Sequence, residues 1–143
     1  MNTSNFDILH FHVTRGNKGR KGNFCILTRL TEGRKGKNYR VGFSTEISEI
    51  INKKGVTHFQ LHVEKYTSSI FFVFLKGDDN IDARFAREKS GQVRINNRDL
   101  LDYLSKKLNL TGDFSGVALE LSPDLANDDN FATFRIDFPA KTK

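Results

Sequence analysis

Two short helical stretches sit in the same strand context, and this repetition constrains the fold more than any other feature of the chain. "NYRVGFS" alternates, with Tyr39, Val41 and Phe43 on one face, and runs into "STEISEIINKKG". There Ser44 or Thr45 can cap a helix, Glu46 and Glu49 lie near its positive end, and Gly55 stops it. Ile47, Ile50 and Ile51 make its apolar stripe. Two alternating runs follow, "HFQLHVEKY" and "SIFFVFLKG". The same order then returns. "QVRIN" leads to "NNRDLLDYLSKKLNL", capped by Asn96 or Asn97 and striped by Leu100, Leu101, Leu104 and Leu108, with Lys106 and Lys107 near its C-terminus. "VALELS" and "FATFRIDF" complete it.

Matched positions run through both copies. Val41 and Phe43 correspond to Val93 and Ile95, and Ile47, Ile50 and Ile51 to Leu100, Tyr103 and Leu104. Phe59, Leu61 and Val63 correspond to Val117, Leu119 and Leu121, and Ile70, Phe72 and Phe74 to Phe134, Ile136 and Phe138. The offset changes only at helix ends and hairpin tips, where insertions are absorbed. A further strand precedes each copy, "FCILTRL" and "ARFARE". Each unit is therefore ββαββ, with the internal repeat at 24–76 and 82–138. A unit of this size buries too little to be stable alone, so two units sharing one core are expected. The expected fold is α+β and β-rich: an antiparallel, partly closed barrel from two pseudo-symmetric ββαββ units with two short helices. All 143 residues form one domain, with an extra N-terminal strand at 6–14 ("FDILHFHVT") whose Leu9, Phe11 and Val13 share a face.

The charge is confined to one end. Residues 1–40 hold nine basic and two acidic residues; the remainder holds fourteen and fifteen. The net +6 thus comes from the front of the chain, mostly from "RGNKGRKGNF" and "EGRKGKNY". Both stretches read as hairpin tips whose glycines leave the backbone open to a ligand. Such a gradient points to a polyanionic partner. The candidate nucleic-acid contacts are Arg15, Lys18, Arg20, Lys21, Arg34, Lys35, Lys37 and Arg40. The lysines suit phosphates as point charges and the arginines suit bidentate phosphate or guanine contacts. The two tips are expected to project together from one side of the body. Phe24 and Tyr39 directly follow the two tips and, if exposed, would stack on unpaired bases; if buried, they begin strands in the core.

Other chemistry lacks its residues. "GNKGRKGN" has no Gly-Lys-Ser/Thr ending and no helix after it, so it is not a phosphate-binding P-loop. Cys25 has no base near it in sequence and reads as a small buried residue. No Ser-His-acid spacing stands out, and the acid pairs Asp78-Asp79 and Asp128-Asp129 fall in turns, so no enzyme is expected. His10 and His12 share one strand face, and His58 and His62 another beside Glu64. Convergence of those imidazoles on a metal would require the strands to pair, and no H-E-x-x-H or cysteine cluster supports it. No metal and no cofactor are expected. One cysteine cannot form an internal disulfide, and the N-terminus lacks the cationic start and apolar run of a signal peptide. A cytoplasmic protein without a membrane partner is expected, with a homo-oligomer an option. An outward Phe71, next to Phe72 in one strand, would suit a subunit interface.

"GQVRINNRDLLDYLSKKLNLTGDFSGVALEL" resembles the AbrB/SpoVT-type swapped-hairpin domain, in which a turn Gly leads to a short strand, a capped helix, a Gly-Asp turn and another strand. Here those are Gly91, Val93 to Ile95, Asn97 to Leu108, Gly112-Asp113, and Val117 to Leu121. "YRVGFSTEISEIINKKGVTHFQLHV" is a looser match, so the resemblance implies a tandem copy in one chain. Where the family has Pro after the second strand this chain has Asn96 and Ser44, and where it has a basic residue after the turn Gly it has Gln92. The resemblance implies a sequence-selective DNA-binding regulator or antitoxin that uses arginines from paired hairpins. The expected function is a duplex-DNA-binding transcriptional regulator using the basic N-terminal loops. The alternatives are a single-stranded DNA or RNA binder, and a non-catalytic interaction module such as an antitoxin or accessory subunit.

Overall fold

The computed structural model describes residues 21–31, 37–124 and 130–138. Its elements, in chain order, are β1 (Phe24–Leu30), β2 (Asn38–Phe43), α1 (Thr45–Asn52), β3 (His58–Val63), β4 (Ile70–Leu75), β5 (Ala83–Arg84), β6 (Ala86–Arg87), β7 (Val93–Asn96), α2 (Arg98–Lys107), β8 (Phe114–Pro123) and β9 (Phe131–Asp137). Because β5 and β6 flank the single residue Phe85, the order is ββαββ followed by ββαββ.

All pairings are antiparallel, in the order β5-β3-β4-β9-β8-β1-β2-β7-β6. The ends of this order are neighbours in the chain. Residues 83–87 pair with β3 through Ala83 and Arg84, turn at Phe85, and pair with β7 through Ala86 and Arg87. One bent segment therefore nearly closes the sheet into a barrel, and closure removes the unpaired edges that invite aggregation. Hairpins from the two units alternate around it. The β1–β2 hairpin meets the second unit through β2–β7, and the β3–β4 hairpin meets it through β4–β9. Like strands thus pair with like across a pseudo-two-fold axis, and the expected barrel of two interlocked units is the one observed.

The inward faces make one core. Cys25, Leu27, Val41, Phe43, Phe72, Phe74, Val93, Ile95 and Phe134 are all buried in it. Phe74 is the hub: its ring lies edge-on to Phe43 at 5.3 Å and Phe85 at 5.4 Å, and near-perpendicular to Phe134 at 5.9 Å. Edge-to-face pairs of this kind contribute about 0.5–1.5 kcal/mol each beyond area burial. The helices cover the core with their apolar stripes. The Ser44 side chain accepts from the Ile47 N–H and starts α1, which buries Ile47 and Ile51. Asn97 Oδ1 accepts from the Leu100 N–H at 2.9 Å and starts α2, which buries Leu100, Leu101 and Leu104. Beyond the Leu108 C-cap, Asn109 takes a left-handed φ of 56°, a conformation asparagine tolerates better than most residues.

One expectation needs correction and one falls outside the described residues. The expected N-terminal strand at 6–14 lies outside the described residues. The expected strand "ARFARE" is two two-residue bridges and not one strand. Phe85 turns its backbone N–H to the Thr57 carbonyl at 3.4 Å, and the segment changes partner there.

Candidate nucleic-acid interface

Alternation along β2 and β7 decides what the barrel shows to solvent on this side. Val41, Phe43, Val93 and Ile95 point inward. Arg40, Gly42, Arg94 and Asn96 therefore point outward. The register joins them: Arg40 pairs with Asn96 and Gly42 with Arg94. Two arginines thus lie diagonally on one outer wall, formed by β1, β2, β7 and β6. Gly42 lies between them and leaves open space, since a Cβ built there would meet nothing within 4 Å. Beside Gly42 is a shallow depression of about 110 Å³ that includes Ile26, Arg40 and Gln92. A larger one of about 270 Å³ lies at the end of the wall, between Lys37, Asn38, Tyr39 and Arg98.

Arg40 differs from the arginines elsewhere in the barrel in how it is paired. Arg29 Nε donates to Asp102 Oδ1 at 2.9 Å, and its Nη1 to the Gly112 carbonyl at 3.0 Å, so it fastens β1 to α2. Arg84 forks onto both oxygens of Asp79, and Arg135 holds Asp137. Arg87 lies 4.8 Å over the Phe85 ring and bonds Asn52. On the outer wall, by contrast, Arg40 is exposed and neither it nor Lys37 has an ion-pair partner among the described residues. Arg94 has only a 3.8 Å approach to Glu88, with both side chains more than a third exposed, and its Nε has no hydrogen-bond partner. A surface pair of that geometry contributes little and gives way readily to a better anion.

Of the expected contacts, Lys21, Lys37 and Arg40 lie in the described residues; Arg15, Lys18, Arg20, Arg34 and Lys35 lie outside them. The tips themselves, expected to project from one side, fall on 15–20 and 32–36, outside the described residues. Lys21 precedes the first end of β1, and Lys37 follows the turn at its other end, where Leu30 pairs with Asn38. Seven residues of strand put these ends about 20 Å apart. Lys21 and Lys37 therefore lie toward opposite ends of the wall.

The stacking residues are also corrected. Phe24 is 1% exposed and presents no ring face to a base. Tyr39 is half-buried against the core, and the Arg98 guanidinium lies 5.8 Å over its ring. Arg94, Asn96 and Arg98 carry no signal of their own in the sequence. Arg94 and Asn96 join the wall only through the β2–β7 register, which links residues far apart in the chain, and Arg98 reaches its end from the first turn of α2.

The histidines are engaged separately. His58 is buried, its Nε2 2.6 Å from Asp79 Oδ1 and its Nδ1 accepting the Gly77 N–H at 3.2 Å. His62 is exposed, its Nε2 2.7 Å from Gln60 Oε1. His10 and His12 lie outside the described residues. Among the described residues no three His, Cys, Asp or Glu side chains form a group that could hold a metal. Cys25 is fully buried, and burial drives its thiol far above the usual range, which makes it inert as a nucleophile. No helix among the described residues is long and apolar enough to cross a membrane. No protein-family model, curated protein or solved structure matches the chain.

Proposed function

We propose that this protein binds nucleic acid without catalysis, with duplex DNA as the favoured target and transcriptional regulation as its role. The outer β1–β2–β7–β6 wall is the contact surface, with Lys21 and Lys37 at its two ends. The observation that carries this reading is the absence of an ion-pair partner for Lys37 and Arg40 among the described residues, on a wall that Arg94 shares. Phosphates are the natural partners of such cations, because each contact releases condensed counterions. Arg94 and Asn96 add the side-chain types that read guanine and adenine edges in a major groove. The burial of Phe24 and the covering of Tyr39 weigh against single-strand stacking as the main mode.

Gel-shift titration against duplex and single strands of equal length, across a salt series, tests the reading. The expected result is tighter binding to duplex that weakens steeply with salt. Replacing Arg20, Lys21, Arg34 and Lys35 with Ala should weaken binding and flatten the salt dependence. Absence of binding to either form at low salt would sink the proposal, and tighter single-strand binding would overturn its choice of target.

A further inference from the structure

Closure of the barrel is uneven. β5 pairs with β3 only at His58 and Phe59, while β3 runs on to Val63. The ladder bonds of an antiparallel strand alternate from one side to the other. The Glu64 N–H donates to the Ser69 carbonyl, so the even-numbered positions of β3 turn their backbone groups toward β4. The odd-numbered positions turn theirs the other way. Phe59 meets Ala83 there, and just before it the Thr57 carbonyl accepts from the Phe85 N–H. Leu61 and Val63 come next, but the chain has left the strand at 78–82, where the Ile81 and Asp82 N–H groups donate back to the Asp78 carbonyl. Two N–H groups and two carbonyls of β3 thus have no backbone partner among the described residues.

The same edge is filled in the other unit. Leu61 and Val63 correspond in the repeat to Leu119 and Leu121 of β8. Leu119 pairs with Cys25 of β1, and the Leu121 N–H donates to the Asn23 carbonyl. The 83–87 segment stands where β1 stands, and it stops short. Along the edge it leaves open runs a groove of about 540 Å³ between β3 and α2. Leu61, Ile81, Leu100 and Tyr103 are its apolar lining, and Asp82 and Asp99 are its charges. No Lys or Arg lines it among the described residues. Asp82 is held ionised, since the Gln60 side-chain amide and the Asp78 backbone N–H donate to its carboxylate and lower its pKa.

We propose that this groove takes up an extended segment of a partner polypeptide, which adds to the β3 edge as a strand and carries lysine or arginine beside apolar residues. The open ladder at Leu61 and Val63 requires a backbone in strand conformation, and a bare edge is the template for one. The filled counterpart on β8 shows that a strand fits these positions. β3 bounds the groove on one side and α2 on the other, so what enters is a lone strand and not the edge of a second sheet. The carboxylates of Asp82 and Asp99 set the charge of its side chains.

The probe is a labelled synthetic octapeptide alternating lysine and valine, titrated by fluorescence anisotropy into the full chain without nucleic acid. The expected result is saturable binding, with slowed amide exchange at Leu61 and Val63. Replacing its lysines with glutamate, or its valines with proline, should abolish binding. Val63→Pro removes an N–H that faces the open edge, a change that edge strands tolerate. It should raise the dissociation constant roughly tenfold while the unfolding midpoint stays close to wild type. Asp99→Lys, exposed in the first turn of α2, should raise it roughly threefold. Absence of binding overturns the proposal, as does equal binding of the glutamate or proline peptide, or an affinity that neither variant changes. Slow exchange at Leu61 and Val63 in the free chain overturns it too, because this chain or a second copy then already holds the edge. The experiment reads a different face from duplex binding, so each reading can fail while the other holds.

Discussion

The two walls of this barrel share one interior and face the solvent with opposite chemistry. On the β2–β7 wall the outward positions are Arg40, Gly42, Arg94 and Asn96. On the β4–β9 wall they are Phe71, Val73, Leu75, Phe131, Thr133 and Arg135. Both walls pair like strands of the two units across the pseudo-two-fold axis, so topology does not account for the difference. Inward residues are constrained by the shared core and stay apolar on both sides. Outward residues are free of that constraint, and their divergence gives the two walls different surfaces. Cations that lack an ion-pair partner among the described residues, such as Lys37 and Arg40, suit the polyanion proposed above.

If the walls are equivalent inside, truncating a core ring should cost about the same on either. Phe43→Ala and Phe74→Ala remove buried rings that touch each other from opposite walls. Each should lose about 3–5 kcal/mol in denaturant titrations. A marked imbalance would mean that one wall can be lost without the other.

The seam that joins the walls gives the next effect. β5 pairs with β3 only through Ala83 and Arg84, and the turn at 77–82 is packed over His58 beside it. A Cβ on Gly77 would lie 2.5 Å from Asp82 Oδ2 and 2.8 Å from His58 Cβ. Gly77→Ala should therefore destabilise the fold by about 1–3 kcal/mol, measured by thermal or chemical unfolding. At the same seam Asp79 accepts from Arg84 and His58, which hold its carboxyl down at about 2 from an ordinary 3.8. A lowered carboxylate pKa adds stability that is complete above the unfolded value and is lost as pH falls toward the folded one. The wild type should thus lose stability between pH 4 and pH 2, and Asp79→Asn should flatten that part of the curve. The comparison is read from unfolding midpoints across the acid range. An Asp79→Asn curve parallel to wild type would remove this cluster from the seam.

Much of this fold is written locally. Ser44 and Asn97 start helices where the capping pattern places them, and Gly55, with φ of 62°, follows α1 as expected. Alternation in "HFQLHV" and "IFFVFL" sets both the strands and their inward faces. What escapes local reading is whatever depends on pairing. The single strand expected over "ARFARE" bends at Phe85 because it serves two neighbours, and no residue there announces it. The charge gradient directs attention to the first forty residues, yet Arg94 and Asn96 reach the same wall from the second unit through register alone. Phe24 follows a basic stretch, but strand position buries it. The outward apolar column is visible in "IFFVFL" as two apolar faces, but only the pairing of β4 with β9 shows that Phe131 extends it.

Salt-dependent duplex binding of the Lys37→Ala/Arg40→Ala/Arg94→Ala variant, set beside Phe71→Glu and wild type, tests the division of labour directly. Three lost phosphate contacts should reduce the slope of log affinity against log salt by roughly three, with folding stability within about 0.5 kcal/mol of wild type. Phe71→Glu, measured per barrel, should keep the wild-type slope. An unchanged slope for the triple variant, or an equal loss from the apolar wall, would contradict the account.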